Sequence, residues 1–417
     1  MFLGHPNPFS YAALFLFIPL ALWFYSRFPA TKATVMTVLG GVLFLPESLA
    51  VDPPLLPPID KTSITAFWAF VGCLWKAQPR LKRARPFRGI DLFFVLLLLC
   101  NVGTAVTNQF PLITGPVVRQ ELTLYDSFAL GIKDTLAIYL PFLVGRAMFT
   151  RRKDLRTLLN GFVVAGVVYA FLALIEIRLS PQLHNWIYGY HQMDFSMAMR
   201  FGGYRPMIFM QTGLAVGMFM LVATIAAIVL HRTGRVRART VYFLGVVLVL
   251  CKSTGAIIYA LVVLPVVALV KLPRARLPAF LALLALLYPA LRTTDTFPTD
   301  TLVAQAEAIN EERALSLWFR FDQEYQLLQR ALEQPLFGWG GYNRNRHFDP
   351  VTGEDLSVTD GDWAIQIGSR GLVGFTAVYG LMTVPVVMTW RRIKKVKNKK
   401  DRQRLAALAL ITSLLVV

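Results

Sequence analysis

The sequence predicts an all-α membrane protein: a polytopic bundle of about 12 transmembrane helices with one large extracytoplasmic loop containing an amphipathic helix. Three observations predict it. The 417 residues are 55% hydrophobic and only 16% charged. Apolar runs recur along the whole chain, many near the ~20 residues a helix needs to cross a hydrocarbon core. Runs such as Leu92 to Leu99 lack the two-residue alternation of a membrane-spanning strand. Inside lipid every backbone polar group needs an internal partner, so such runs become helices.

The expected spans, in order, are Ser10–Tyr25, Val35–Ala50, Ser63–Trp75, Ile90–Val106, Phe128–Phe149 and Leu158–Ile177 in the first half. Met207–Leu230, Val241–Cys251, Ala256–Val270, Leu277–Leu291, Trp363–Trp390 and Leu405–Val417 follow. The chain therefore divides into residues 1–292 with the first ten helices, a loop over 293–361, and residues 362–417 with the last two. The first nine residues carry no Lys or Arg, so the charged start of a cleavable signal is missing and the first span is expected to stay, N-terminus outside. Cys73, Cys100 and Cys251 fall in or beside spans, where thiols pack as small hydrophobes rather than form a disulfide or zinc framework.

The net charge of +19 invites a nucleic-acid reading, but its distribution argues against one. Alternate connections, from Arg27–Lys32 through Lys76–Arg88, Arg146–Arg156, Arg232–Arg239, Lys271–Arg276 and Arg391–Arg404, hold 29 of the 43 basic residues. Such a bias marks the cytoplasmic side. It also resolves the nearly continuous apolar stretch Val241–Val270. A hairpin turning at Lys252-Ser253-Thr254-Gly255 keeps the basic clusters on both flanks inside and puts Lys252 outside.

Basic residues on the opposite face then need a reason. Arg200 and Arg205 lie in a polar segment just before a span, and Lys252 sits at the hairpin tip. The long loop contributes a helix over Glu311–Glu333, with Leu317, Phe321, Tyr325, Leu328 and Leu332 at three- and four-residue steps. Arg313 and Arg320, seven residues apart, share one of its faces about 10 Å apart. Pro335-Leu336-Phe337-Gly338-Trp339-Gly340-Gly341-Tyr342 then makes a turn, followed by Arg344, Arg346 and His347. One account lays this helix on anionic headgroups at the bilayer surface. The sharper account makes Arg200, Arg205, Lys252, Arg313 and Arg320 an anion site, since guanidinium forks match phosphate oxygens. Within spans, Lys133 and Asp134 are adjacent and point in different directions, and Arg370 lies about two turns into its helix. His184 and His191 flank an aromatic segment at a spacing that suits an interfacial belt better than a metal pair.

Four stretches together resemble the O-antigen ligase and O-antigen polymerase superfamily of bacterial polysaccharide assembly. They are Arg200-Phe201-Gly202-Gly203-Tyr204-Arg205-Pro206, Lys252-Ser253-Thr254-Gly255-Ala256, Arg320 followed by Pro335-Leu336-Phe337-Gly338-Trp339-Gly340, and Thr359-Asp360-Gly361-Asp362-Trp363 running into Gly371-Leu372-Val373-Gly374. The layout of spans around one late loop agrees over nearly the whole chain. The resemblance implies a GT-C-like, metal-independent glycosyltransferase of the bacterial cytoplasmic membrane, without a cofactor. Its partners would be a polyprenyl-diphosphate-linked glycan, a glycan or lipid acceptor, and other polysaccharide assembly proteins. It further implies that Arg205 and Arg320, with Arg200, Arg313 and Lys252, hold the leaving diphosphate.

The base that accepts the acceptor proton is where this chain departs from the family. Ligase-like members carry a His-Asn pair eleven and ten residues before the Gly of their G-L-x-G. Here those positions are Asp360 and Gly361. Asp360 is the candidate base, with Asp362 and His347 behind it; an Asp there also suits a helix N-cap. The departure favours polymerisation of repeat units over ligation. A flippase for lipid-linked oligosaccharide is the alternative.

Overall fold

The computed structural model describes residues 4–53, 57–200, 202–269, 276–308, 310–358, 361–393 and 395–416. Their helices are α1 (Pro8–Arg27), α2 (Ala30–Phe44), α3 (Lys61–Arg83), α4 (Leu92–Thr107), α5 (Leu124–Asp134), α6 (Leu140–Met148), α7 (Arg152–Leu179) and α8 (Leu183–Tyr188). There follow α9 (Gly213–Arg232), α10 (Ala238–Leu250), α11 (Thr254–Leu269), α12 (Leu277–Thr293), α13 (Thr299–Glu307), α14 (Glu311–Leu332), α15 (Asp362–Ile393) and α16 (Lys399–Val416). Sheet is confined, among the described residues, to three small antiparallel ribbons: β1 (Ala50–Val51) with β2 (Ile59–Asp60), β3 (Leu112–Thr114) with β4 (Val117–Arg119), and β5 (Met199–Arg200) with β6 (Gly203–Tyr204).

Among the described residues, six stretches are long and apolar enough to cross a membrane: Pro8–Arg27, Gly89–Thr107, Leu124–Met148, Arg152–Leu179, Gly213–Arg232 and Asp362–Ile393. Ala30–Phe44, Ala238–Leu250, Thr254–Leu269 and Leu277–Thr293 are apolar but shorter. The protein is an α-helical, multi-pass membrane protein.

Several elements differ from the sequence expectation, each for a local reason. α2 stops at Phe44 rather than Ala50, because Leu45 is extended before Pro46, where the proline ring disfavours helix. α3 continues past Trp75 to Arg83, bending at Ala77 just ahead of Pro79. The fifth expected span is interrupted by a π-turn at Thr135–Tyr139, directly before Pro141. Pro141 cannot donate to Ala137 and its ring crowds that carbonyl, so the wider turn accommodates it. α15 breaks at Gly371 (φ 62, ψ −171), so Arg370 stands at a break rather than within a continuous helix. Val270, Thr359, Asp360 and Val417 lie outside the described residues.

By internal packing the chain forms two compact units. The first comprises Met1–Pro86, Lys133–Arg276 and Thr389–Ile411. Its centre is α9, in which every side chain from Phe219 to Leu230 is buried against neighbours that include α7, α10 and α11. Without a hydrophobic drive between helices in lipid, close packing of small residues has to hold them. A Cβ on Gly217 would stand 2.5 Å from Ser253 Cβ, so α9 and the α10–α11 turn touch backbone to side chain. Buried Tyr25 ties α1 to its neighbours, its hydroxyl meeting Thr34 Oγ1 at 2.9 Å and the Ala69 carbonyl at 3.0 Å. Cys73 joins the same knot, and all three cysteines are buried.

The loop ahead of α9 is anchored by His184 of α8, which is 1% exposed. Its Nε2 accepts from the Glu47 N–H at 3.1 Å while Nδ1 faces the Tyr190 carbonyl at 2.8 Å, which fixes the neutral tautomer. Burial pushes the pKa of this imidazole down to about 4 from the usual 6.5. Protonation would turn the acceptor into a donor facing Glu47 N–H. Because the folded pKa lies below the unfolded one, this site's stability is complete above about pH 6.5 and is lost as pH falls towards about 4. Thermal unfolding in detergent should therefore weaken by about 3 kcal/mol across that window. His184→Gln should flatten the dependence; an unchanged slope would exclude His184 as its source.

The second unit comprises Phe87–Ile132, Leu277–Met388 and Thr412–Val417. α13 and α14 pack together there, and α14 buries Ala314, Gln323, Leu327, Leu328 and Ala331. The buried stripe is rotated from the sequence expectation. Tyr325 and Leu332 are exposed, and so are Leu315, Trp318 and Phe319. The three-and-four periodicity identified a helix but not which of its apolar faces meets the protein.

Candidate functional site

In the first unit, the segment carrying Arg200 and Arg205 is a tight ribbon with Gly202 at its tip (φ +65). Arg200 pairs with Gly203, and its backbone alone is described. The Arg205 N–H donates to the Ala198 carbonyl at 2.8 Å, which closes the ribbon onto the preceding turn. After Pro206 the chain is held by Glu176 at the end of α7, whose carboxylate accepts from the Met207 and Ile208 N–H groups, both at 2.8 Å. Thr212 then caps α9, its side chain accepting from Ala215 N–H at 3.2 Å.

The Arg205 side chain folds back over the first residue of that helix. A Cβ on Gly213 would stand 2.5 Å from Arg205 Cγ and 2.7 Å from Nε, and Nη2 donates to Ser253 Oγ at 3.3 Å. Ser253 belongs to the turn between α10 and α11, where Lys252 takes a left-handed conformation (φ +50). The Lys252 ammonium lies against Gly203 so closely that a Cβ there would collide with it. Residues 203, 205, 252 and 253, distant in sequence, thus meet at the start of a 20-residue helix. Arg205 over a helix N-terminus, whose backbone N–H groups carry partial positive charge, with Lys252 against the adjoining ribbon, makes an arrangement complementary to an anion.

In the second unit, Arg320 lies exposed on α14, and Arg313 sits on the same helix with only its backbone described. Asp360 lies outside the described residues. One turn beyond Arg320, Glu324 accepts from Tyr288 Oη at 2.6 Å and from Arg292 Nε at 3.3 Å. Arg292, 5% exposed, also donates through Nη2 to the Phe321 carbonyl at 2.8 Å. Tyr288 stands edge-on to Trp363 at 5.6 Å. A Cβ on Gly361 would lie 3.9 Å from Glu324 Oε1, so the entry to α15 runs beside this carboxylate. Sequence reasoning missed Tyr288, Arg292 and Glu324. The signals were present: Glu324 follows Arg320 by one helical turn, and Arg292 is another cation at the far end of its helix from the basic turn 271–276.

The two glycine motifs are clasped together. Trp339 and Gly340 donate to the Gly368 and Ser369 carbonyls at 2.9 Å each. Leu372 and Val373 donate to the Pro335 and Leu336 carbonyls at 2.8 and 3.1 Å. The break at Gly371 frees these groups for pairing. From α4, Thr104 Oγ1 and Asn108 Nδ2 bond the Phe337 and Gly338 carbonyls at 2.6 and 2.9 Å. Gly371 combines φ 62 with ψ −171, a region open essentially to glycine alone, and a Cβ would collide with Leu336 and stand 2.6 Å from Phe337 N. Gly371→Ala should therefore cost about 3 kcal/mol or more. Measured by thermal unfolding of the purified variant, a loss under about 1 kcal/mol would show that the clasp is not required.

Arg344 and Arg330 serve this same framework. Arg344 is 2% exposed and donates to the Gln120 carbonyl at 2.8 Å and towards Asn108 Oδ1 at 3.5 Å. Burial, and then the Arg330 charge, lower its pKa. Arg330 stacks 3.6 Å from the Trp339 ring, whose Nε1 donates to the Arg330 carbonyl at 2.7 Å. Asp362, a second-choice base, accepts from Gln366 at 3.2 Å and Tyr379 at 3.4 Å. His347, the other, is exposed. No family model, curated protein or solved structure matches the chain.

Proposed function

We propose that this protein is a membrane glycosyltransferase of the O-antigen ligase or polymerase type, transferring or polymerising a polyprenyl-diphosphate-linked oligosaccharide without a metal. The working topology is the twelve-span one, in the bacterial cytoplasmic membrane, with the N-terminus and the loop over 293–361 outside. The observation that carries the proposal is the meeting of Arg205, Lys252 and Ser253 at the start of α9. Residues from two of the four resembling stretches thereby come together at a spot whose charge suits a diphosphate. The clasp between the Pro335–Gly340 and Gly371–Val373 segments joins the other two.

In this reaction the acceptor hydroxyl attacks the anomeric carbon, the bond to the lipid diphosphate breaks, and the hydroxyl proton passes to a base. Charge grows on the leaving diphosphate, and Arg205, Lys252 and Arg320 are assigned to offset it, with Arg200 and Arg313. Asp360 is assigned as base. The exposed Leu315, Trp318 and Phe319 of α14 suit a helix lying on the bilayer beside its lipid substrate.

The test is incubation of the purified protein with a polyprenyl-diphosphate oligosaccharide. Longer glycans and released lipid diphosphate are expected. A second reading, a flippase for the same lipid, draws on the interruptions at Thr135–Tyr139 and Gly371, since transporters use broken helices. Translocation in vesicles without any new glycosidic bond would favour it.

A further inference from the structure

A cavity of about 610 Å³ lies between α2 and α7, with Phe24 of α1 at its end. That volume falls within the roughly 300–1,000 Å³ of small-molecule sites. Its chemistry is sharply divided. Lys32, Thr157 and Asn160 stand at one end, and the body is lined by apolar side chains such as Leu39, Val164 and Val168. Val164 is 65% and Val168 43% exposed, so the groove opens sideways through an apolar surface. From Lys32 to Phe44, α2 rises about 18 Å. One leaflet of a ~30 Å hydrocarbon core is about 15 Å deep. The groove is therefore as long as one leaflet and has its polar groups at a single end.

The polar end is built firmly. Thr31 Oγ1 donates to Asp154 Oδ1 at 2.9 Å, joining the start of α2 to the start of α7, and Arg80 Nη1 of α3 donates to both Thr31 and Asp154 at 3.1 and 3.4 Å. Asp154 is thereby engaged. Lys32 has no carboxylate partner among the described residues; its ammonium stands 4.3 Å over the Phe28 ring. Asn160, exposed at the mouth, makes no side-chain hydrogen bond among the described residues. Arg151, Lys153 and Arg156 sit at the N-cap and in the first two turns of α7 beside it. This is the end that the distribution of basic residues assigns to the cytoplasm.

We infer that the α2–α7 groove is a binding site for one anionic glycerophospholipid of the inner leaflet. An acyl chain lies along Val35, Leu39 and Val168, and the headgroup phosphate meets Lys32 and Asn160. An apolar trench alone would take any lipid tail. The cation without a carboxylate partner at its mouth selects an anionic one.

Native mass spectrometry of the purified full chain, titrated with phosphatidylglycerol or phosphatidylcholine, tests this. The protein should retain one phosphatidylglycerol in preference to phosphatidylcholine by about fivefold, the effect of one basic residue near a lipid phosphate. Lys32→Ala should abolish the preference. Gly40→Leu, which places a side chain in the groove on a helix that tolerates it, should lower retention of both lipids. Arg235→Ala, at a different basic turn, should leave the preference intact. Equal retention of the two lipids by the unsubstituted protein would overturn the site. So would a preference that survives both Lys32→Ala and Gly40→Leu.

Discussion

Arg320→Ala should abolish polymer formation while the protein still inserts and accumulates normally. Arg320 is exposed on α14, so its removal leaves no buried cavity. If it faces the leaving diphosphate, its loss removes a charge that matters most as the glycosidic bond breaks. Losing one such preorganised donor typically costs about 10²–10³ in turnover. Arg320→Lys should recover only part of this, because an ammonium keeps the charge but not the two-pronged geometry. Full activity in Arg320→Ala would remove this residue from the mechanism. Equal loss of protein and polymer would instead place Arg320 in the fold. Measuring accumulated protein and glycan length in the same cells separates these outcomes.

Hydropathy foretold the helical membrane class and the position of most long apolar helices, because an apolar run is a local, repetitive property of the chain. What they missed was non-local or stereochemical. The π-turn before Pro141 and the early end of α2 before Pro46 follow from proline sterics, and were readable in principle. The break at Gly371 was not, because a glycine inside an apolar run reads as close packing as readily as a kink. The candidate site divides the same way. Arg205 and Lys252 were chosen because they are cations on the less basic face, and the structure gathers both at the start of α9. In the sequence, Glu324 is one more charge on an amphipathic helix. Its partners Tyr288 and Arg292 lie more than 30 residues away, and only the fold brings them to it. The role of Arg344 was equally hidden, since nothing in its neighbours marks a guanidinium destined for burial against Gln120 and Asn108.

Glu176→Ala should be the most damaging substitution in the first unit, although no motif includes this residue. Its carboxylate is 1% exposed and makes no ion pair among the described residues. Instead Oε1 accepts from Leu183 N–H at 3.0 Å, and Oε2 from Met207 and Ile208 N–H at 2.8 Å each. Ile208 holds φ +54, a conformation that a β-branched residue adopts only when its surroundings enforce it. Gln192 secures the same turn from the other side, its Nε2 donating to the Ile208 and Met210 carbonyls at 3.2 and 3.1 Å. Alanine at 176 would strand three backbone donors, each worth about 1–3 kcal/mol when left unsatisfied in a buried setting. A loss of about 3 kcal/mol or more should appear in thermal unfolding. Glu176→Gln separates shape from hydrogen bonding. Its amide oxygen can serve Met207 and Ile208, but its NH₂ then confronts the Leu183 N–H, so an intermediate loss is expected. Because the turn begins two residues after Arg205, both variants should also weaken glycan transfer beyond what their lower abundance explains. If activity per folded molecule stays unchanged in Glu176→Gln, the position of Arg205 does not depend on this carboxylate, and Glu176 serves the fold alone.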